Sequence, residues 1–231
     1  SFDPGGNIVF NSGNTLTLGA EGITTTPNRT ITFNNAMALS TNQTWTVGQN
    51  TLTPAGQVDT AGFSLMLAGS GTKQFKSAIV GGGNLILNKG GTKLSNGSVA
   101  TASDIFINNG ASLTFDATPA AGGAARADSI TMRGLGNDSA RAILNGSGVS
   151  SANTLDTLAG SLTIDGGQAF VNLTPNSART YVLTAANYAR NPGGLVLFRG
   201  TDMGISTLAS ATVGDASVTF TSSPSLLGGS G

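Results

Sequence analysis

The chain has 231 residues, 34 of them glycine, and 11 basic residues balance 11 acidic ones, so the formal net charge is zero. Only 10% of residues are charged, against about 25% in typical globular chains, which leaves no electrostatic case for nucleic acid or an anionic membrane as partner. Cysteine and histidine are both absent, which excludes disulfides, thiolate metal ligands and any imidazole base. No apolar run approaches the roughly 18 residues of a spanning helix, and no charged segment leads into an apolar one at the start. The first residue is Ser1, not Met, which reads as a processed protein or a piece of a longer one.

Taken in order, the N-terminal quarter of the chain reads as strands and turns. Asn7-Ile8-Val9-Phe10 and Thr15-Leu16-Thr17-Leu18 flank an Asn11-Ser12-Gly13-Asn14 turn whose residues tolerate positive φ. Thr30-Ile31-Thr32-Phe33 and Gln43-Thr44-Trp45-Thr46-Val47 alternate polar and apolar residues, the pattern of a half-buried strand.

From there a repeat takes over. Trp45-Thr46-Val47, Leu65-Met66-Leu67, Leu85-Ile86-Leu87 and Ile105-Phe106-Ile107 follow one another at equal intervals along the chain. A second apolar series, Leu52, Phe75, Leu94 and Leu113, trails the first. Strands alternate their side chains between two faces, so the outer members of each triplet share a face and the middle members take the other. A chain wound with one turn per interval stacks like positions, and each coil's apolar face is completed by its neighbours. The expectation is an all-β solenoid with coils of about 20 residues, a usual length for such repeats. Leu65, Leu85 and Ile105 should form one buried ladder, and Leu67, Leu87 and Ile107 a second. Met66, Ile86 and Phe106 should form an outward apolar ladder, an interaction face covered by the excursion at 116–127, by the C-terminal third or by another chain.

Residues 116–127 break the period, and they read as a surface excursion in which Ala124 to Ala127 make at most a short helical turn. Coiling resumes with Ile130-Thr131-Met132, Ala140-Arg141-Ala142-Ile143-Leu144, Ser161-Leu162-Thr163-Ile164 and Ala169-Phe170-Val171-Asn172-Leu173. This divides the chain into coils over 1–175 and a less regular β segment over 176–231 that continues or covers them.

In that last third, Arg190, Gly193-Gly194, the apolar run Leu195-Val196-Leu197-Phe198, Gly204, Ser217-Val218-Thr219-Phe220 and Pro224-Ser225-Leu226-Leu227-Gly228-Gly229 resemble a segment of very large bacterial surface proteins. Those proteins carry autotransporter-associated β-strand repeats. Gly83-Asn84-Leu85-Ile86-Leu87 and Asn109-Gly110-Ala111-Ser112-Leu113-Thr114-Phe115 resemble the repeat itself, although Lys89-Gly90-Gly91-Thr92 replaces the family's usual glycine-aromatic turn. The resemblance implies an exported, right-handed parallel β-helix that is one part of a longer polypeptide.

The chemistry offered by the side chains is sparse. Glycoside hydrolysis needs two carboxylates about 5–9.5 Å apart, and here Glu21 is the only glutamate while the aspartates stand singly. Asp104 with Asp128, about one coil apart, is the best candidate pair, and each aspartate otherwise reads as a turn cap or a solvated strand start. Gly134-Leu135-Gly136-Asn137-Asp138 approaches a calcium-binding β-roll repeat but does not recur, and it reads as a plain turn. Asn-x-Ser/Thr sequons at Asn28, Asn42, Asn96, Asn137, Asn145 and Asn172 are no more than this composition produces by chance. Trp45 falls in the inward register and reads as core.

No catalytic residue, cofactor or metal is therefore assigned. The expected function is that of an extracellular structural protein without catalytic activity, a β-helical segment of a bacterial surface protein or filament. An adhesin-type binding passenger and a β-helical polysaccharide-acting enzyme are the alternatives. The expected partner is the continuing chain or a second copy, stacked end to end, with other surface proteins or glycans beyond that, and with no nucleic acid and no membrane insertion of this segment.

Overall fold

In the computed structural model, residues 6–25, 29–95, 100, 103–116, 124–134, 141–148, 153–176, 179–203 and 214–222 are described. Every strand pairing among them is parallel, and the strands wind around a common core as a parallel β-helix. One face is a nine-stranded sheet, in the order β1 (Ile8–Phe10), β4 (Ile31–Phe33), β7 (Thr51–Pro54), β10 (Thr72–Phe75), β13 (Gly90–Leu94), β15 (Ala111–Asp116), β18 (Ala142–Ser147), β20 (Gly167–Thr174) and β22 (Gly194–Gly200). The facing sheet runs through β3 (Ile23–Thr25), β6 (Gln43–Val47), β9 (Leu65–Ala68), β12 (Leu85–Leu87), β14 (Ile105–Asn108), β17 (Ile130–Arg133), β19 (Thr154–Ile164), β21 (Tyr181–Arg190) and β23 (Ala216–Phe220). Its tenth member, β16 (Ala124–Ala127), pairs with the first half of β19 while β17 pairs with the second. A third, four-stranded face of β2 (Leu16–Leu18), β5 (Met37–Leu39), β8 (Val58–Asp59) and β11 (Ile79–Val80) closes the N-terminal coils alone.

The side-chain ladders explain why this sequence winds. Leu65, Leu85 and Ile105 are Cα partners in successive coils, as are Leu67, Leu87 and Ile107, and all six are buried. Each apolar group is covered above and below by its own kind, so burial accumulates coil by coil. Trp45 lies in the same core, with its ring stacked at 6.2 Å on Phe75 and its Nε1 donating to Gln43 Oε1 at 3.0 Å. At the corners the chain must reverse in little space. Gly69 has φ of +81°, and a Cβ there would stand 2.0 Å from the Val47 carbonyl oxygen, so only glycine lets this corner pass.

Several sequence-level expectations are corrected by the register. Trp45 pairs with Leu67, not with Leu65, whose partner is Gln43, because the coil from β6 to β9 is slightly longer than the coil from β9 to β12. The third face escaped notice because β8 and β11 are two residues each, too short to show alternation. In the second series Phe75 does meet Leu94, but Leu52 meets Lys73 and Leu113 meets Thr92, so polar groups occupy an inward row. Ala124 to Ala127 form a strand and no helical turn, because pairing with β19 and burial of Arg126 outweigh alanine's helical preference. Residues 117–123 of the expected excursion lie outside the described residues.

The ladders give a direct test. Leu85→Ala should destabilise the chain by about 2–5 kcal/mol in chemical denaturation, because neighbours fixed in register above and below cannot collapse into the gap. Ile86→Ala, on the half-buried outward row, should cost well under half as much.

Candidate functional site

The winding brings the best candidate pair of aspartates onto adjacent coils. Asp104 and Asp128 sit at neighbouring corners of successive coils, where the Asp128 amide donates to Ser103 O at 3.3 Å, and both side chains are exposed. Asp59 caps its own turn by accepting from the Ala61 amide at 2.8 Å. Asp165 accepts from Arg133 Nε at 2.7 Å and Asn191 Nδ2 at 2.6 Å, and these bonds, the Asn191 one first, hold its carboxyl below the usual range. Among the described residues no cluster of three or more carboxylates forms. Leu135 to Asp138 of the calcium-like turn lie outside the described residues, as do Asn28, the sequons at Asn96 and Asn137 and the Pro224 to Gly229 segment.

Met66, Ile86 and Phe106 do form one row in register on the outward side of β9, β12 and β14, and each is half-buried. The Arg133 guanidinium lies 5.1 Å from the Phe106 ring centre, and the Met66 sulfur accepts from Asn88 Nδ2 at 3.0 Å. Beside them Asn108 Nδ2 donates to Asn88 Oδ1 at 2.7 Å, a short asparagine ladder along the axis.

Two charged groups that sequence reasoning did not single out lie inside the coil. Lys73 is fully buried on the inward row between Leu52 and Thr92, and its Nζ donates to Gly69 O and Lys89 O, each at 2.8 Å. It clamps corner carbonyls of successive coils, and burial lowers its pKa to about 8. The second group joins Arg126, Asp156 and Tyr181, all at most 3% exposed. Arg126 Nε lies 3.2 Å from Asp156 Oδ1, close enough for ion pairing but not aligned as a hydrogen bond. Its Nη2 donates to Leu94 O at 3.0 Å and to Asp116 O at 3.3 Å, and the Tyr181 hydroxyl donates to Asp156 Oδ2. Burial pushes the Asp156 carboxyl up, while the Arg126 charge and the Tyr181 bond oppose that shift; burial and the Asp156 charge push the Tyr181 phenol well up. The three residues tie β16, β19 and β21 to the opposite sheet. Asp156 is thus no solvated carboxylate. No local sequence signal marks it, since its partners Arg126 and Tyr181 belong to separate strands far from it along the chain.

Among the described residues two surfaces carry grooves. At the first coil Ile8, Phe10, Ile23 and Phe33 line an apolar groove of about 700 Å³, with the Phe10 and Phe33 rings stacked at 4.5 Å. On the outward side of the nine-stranded sheet, Gly91, Ser112, Ile143, Phe170 and Leu197 form one row in register. A shallow groove of about 400 Å³ opens over its first three members, walled by Arg141.

The fold and these surfaces define the class: a parallel β-helix with a partly ionic core and no helix among the described residues that is long and apolar enough to cross a membrane. Comparison with family models, with curated proteins and with solved structures returned no match.

Two measurements address the buried charges. Asp156→Ala leaves the Arg126 charge uncompensated and should cost about 3–5 kcal/mol, whereas Arg126→Met combined with Asp156→Leu should cost less than the single change. Lys73 carries fewer protons folded than unfolded between about pH 8 and its ordinary 10.5, so its contribution to stability rises with pH across that interval. The thermal midpoint of the wild type minus that of Lys73→Met should therefore increase from pH 7.5 to pH 10.

Proposed function

We propose that this chain is a segment of an extracellular structural scaffold, a stiff β-helical rod in a bacterial surface protein or filament, completed at its ends by further coils of the continuing chain or of a second copy. The carrying observation is the state of the first and last described coils. Leu16, Leu18 and Ile23 pack on the core at one end, and Val196, Phe198, Val218 and Phe220 at the other, yet all of them remain half-buried. In the central coils the same rows are fully buried, because a neighbour stands on each side. A parallel coil also presents unpaired N–H and C=O groups at its free edge, and such edges recruit strands.

Head-to-tail contact of one end with the other is heterologous and does not close, so it lengthens a rod without limit. Zero net charge opposes such stacking very little. A fibre-forming role also suits the interior, where ladders of Leu, Ile and Val give stiffness without disulfides. The enzyme alternative would need converging carboxylates on a groove, and neither groove described above is lined by one.

Sedimentation of the whole chain over a wide concentration range tests the reading. Association should rise steeply with concentration, and Phe10→Asp or Phe220→Asp should each suppress it, provided circular dichroism shows the coil intact. Mixed together, the two variants should give dimers and nothing longer, since each retains one competent end. A wild type that stays monomeric at millimolar concentration would sink the end-to-end model.

A further inference from the structure

The two ends of the rod carry the beginnings and the ends of the same inward rows. The row that opens with Ile8 on β1 passes through Ile31, Leu113 and Val171 and closes with Phe198 on β22. On the facing sheet, the row that opens with Ile23 on β3 runs through Trp45 and Leu67 and closes with Arg190 on β21. At the first coil these rows border the apolar groove of about 700 Å³, which is lined from both β1 and β3. At the last coil the Tyr188 ring stands 6.3 Å from the Phe198 ring centre and 5.2 Å from that of Phe220. One end is an apolar hollow, and the other is an aromatic cluster that bridges the two sheets.

The ends also differ in charge. Glu21, the chain's one glutamate, is exposed on the turn two residues before Ile23. Arg190 is exposed at the opposite end, two residues past Tyr188 in β21. Among the described residues neither charge is held in an ion pair. When a second copy continues the winding in register, Arg190 falls opposite Ile23, and Tyr188 falls opposite Glu21. The two charges are then diagonal neighbours, a separation that long side chains span. Covering Arg190 with no acid beside it would bury an unpaired charge, and Glu21 is the acid that this register delivers.

We infer that the apolar groove at the first coil takes the last coil of a second copy of this chain, in continuous register, with Phe198 seated against Ile8 and Arg190 paired with Glu21. A second copy fits better than an unrelated partner because this chain's own last coil matches the groove in row position, apolar character and charge. The inference rests on the end-to-end reading above and adds the partner, the register and the ion pair that selects it.

Charge exchange, read by sedimentation of the whole chain, provides the test. Wild type should associate, and less so at high salt because part of the attraction is ionic. Glu21→Arg and Arg190→Glu each set like charges across the junction and should raise the concentration needed for half-association at least about ten-fold. Both positions are exposed, so each variant should keep the wild-type circular dichroism spectrum. Mixed in equal amounts, the two variants should associate as wild type does, in alternation, since every junction then joins opposite charges. One chain carrying both changes should recover as well. Lys76→Glu alters the net charge as much as Arg190→Glu does, but it is exposed beside β10 in the body of the rod and should change nothing. A wild type that stays monomeric overturns the inference together with the end-to-end reading. A wild type that associates overturns this partner and register alone, and leaves the end-to-end reading standing, in any of three cases: the single variants associate as well as it does, their mixture stays as weak as each alone, or Lys76→Glu weakens association as much as Arg190→Glu.

Discussion

What the rest of the structure depends on is the parallel, in-register stacking of one coil on the next, which sets each inward side chain against a partner of similar size. Leu85 between Leu65 and Ile105 is the simplest case. A parallel sheet has no hairpins to fix its register, so that register must come from rows that fit together and from corners that return the chain after a set length. Both elements are present: paired apolar rows on β9, β12 and β14, and corner glycines such as Gly69 that pass where a Cβ would strike backbone. Because every coil relies on the next, the energy of the rod is spread evenly along it, and a coil without a neighbour is left half-finished.

The charges inside the coil appear where this regularity changes. The inward row that holds Leu65, Leu85 and Ile105 at even steps continues to Ile130, Leu162 and Tyr188 at longer and unequal ones. It is in the longest of these coils, between Ile130 and Leu162, that β19 grows long enough to take β16 as an extra strand. There Arg126 reaches across to Asp156 and to carbonyls of the other sheet. A purely apolar row would have no means of choosing which half of β19 each short strand should join. The ion pair ties β16 to the first half of β19, where the Arg126 side chain reaches Asp156. Lys73 acts similarly on a smaller scale, tying two corner carbonyls where the inward row loses a leucine.

Outside, the two large faces are not equivalent. On the ten-stranded sheet the half-buried row of Met66, Ile86 and Phe106 is flanked by asparagines, and the arginine over Phe106 is neutralised by Asp165. On the nine-stranded sheet Phe170 gathers two arginines, and among the described residues no acid pairs with Arg199. A stiff core and two unlike outer faces are compatible properties, since inward and outward residues alternate along each strand and vary independently.

Sequence alone determined the class of fold, because the even interval and the apolar–x–apolar triplets are local facts that any winding must respect. It also placed the two central inward ladders and Trp45 correctly, since strand alternation assigns faces without knowledge of neighbours. The tertiary structure decided what depends on distant pairing. The shortest strands of the third face leave no periodic trace, and the shift that brings Trp45 onto Leu67 comes from a longer early coil that only the strand pairing reveals. Arg126, Asp156 and Tyr181 lie too far apart in the chain to be read as one cluster, and Ala124 to Ala127 look helical until a parallel partner is supplied. The arginine-flanked Phe170 was likewise invisible in the sequence, because Arg141, Phe170 and Arg199 meet only when three successive coils are laid in register.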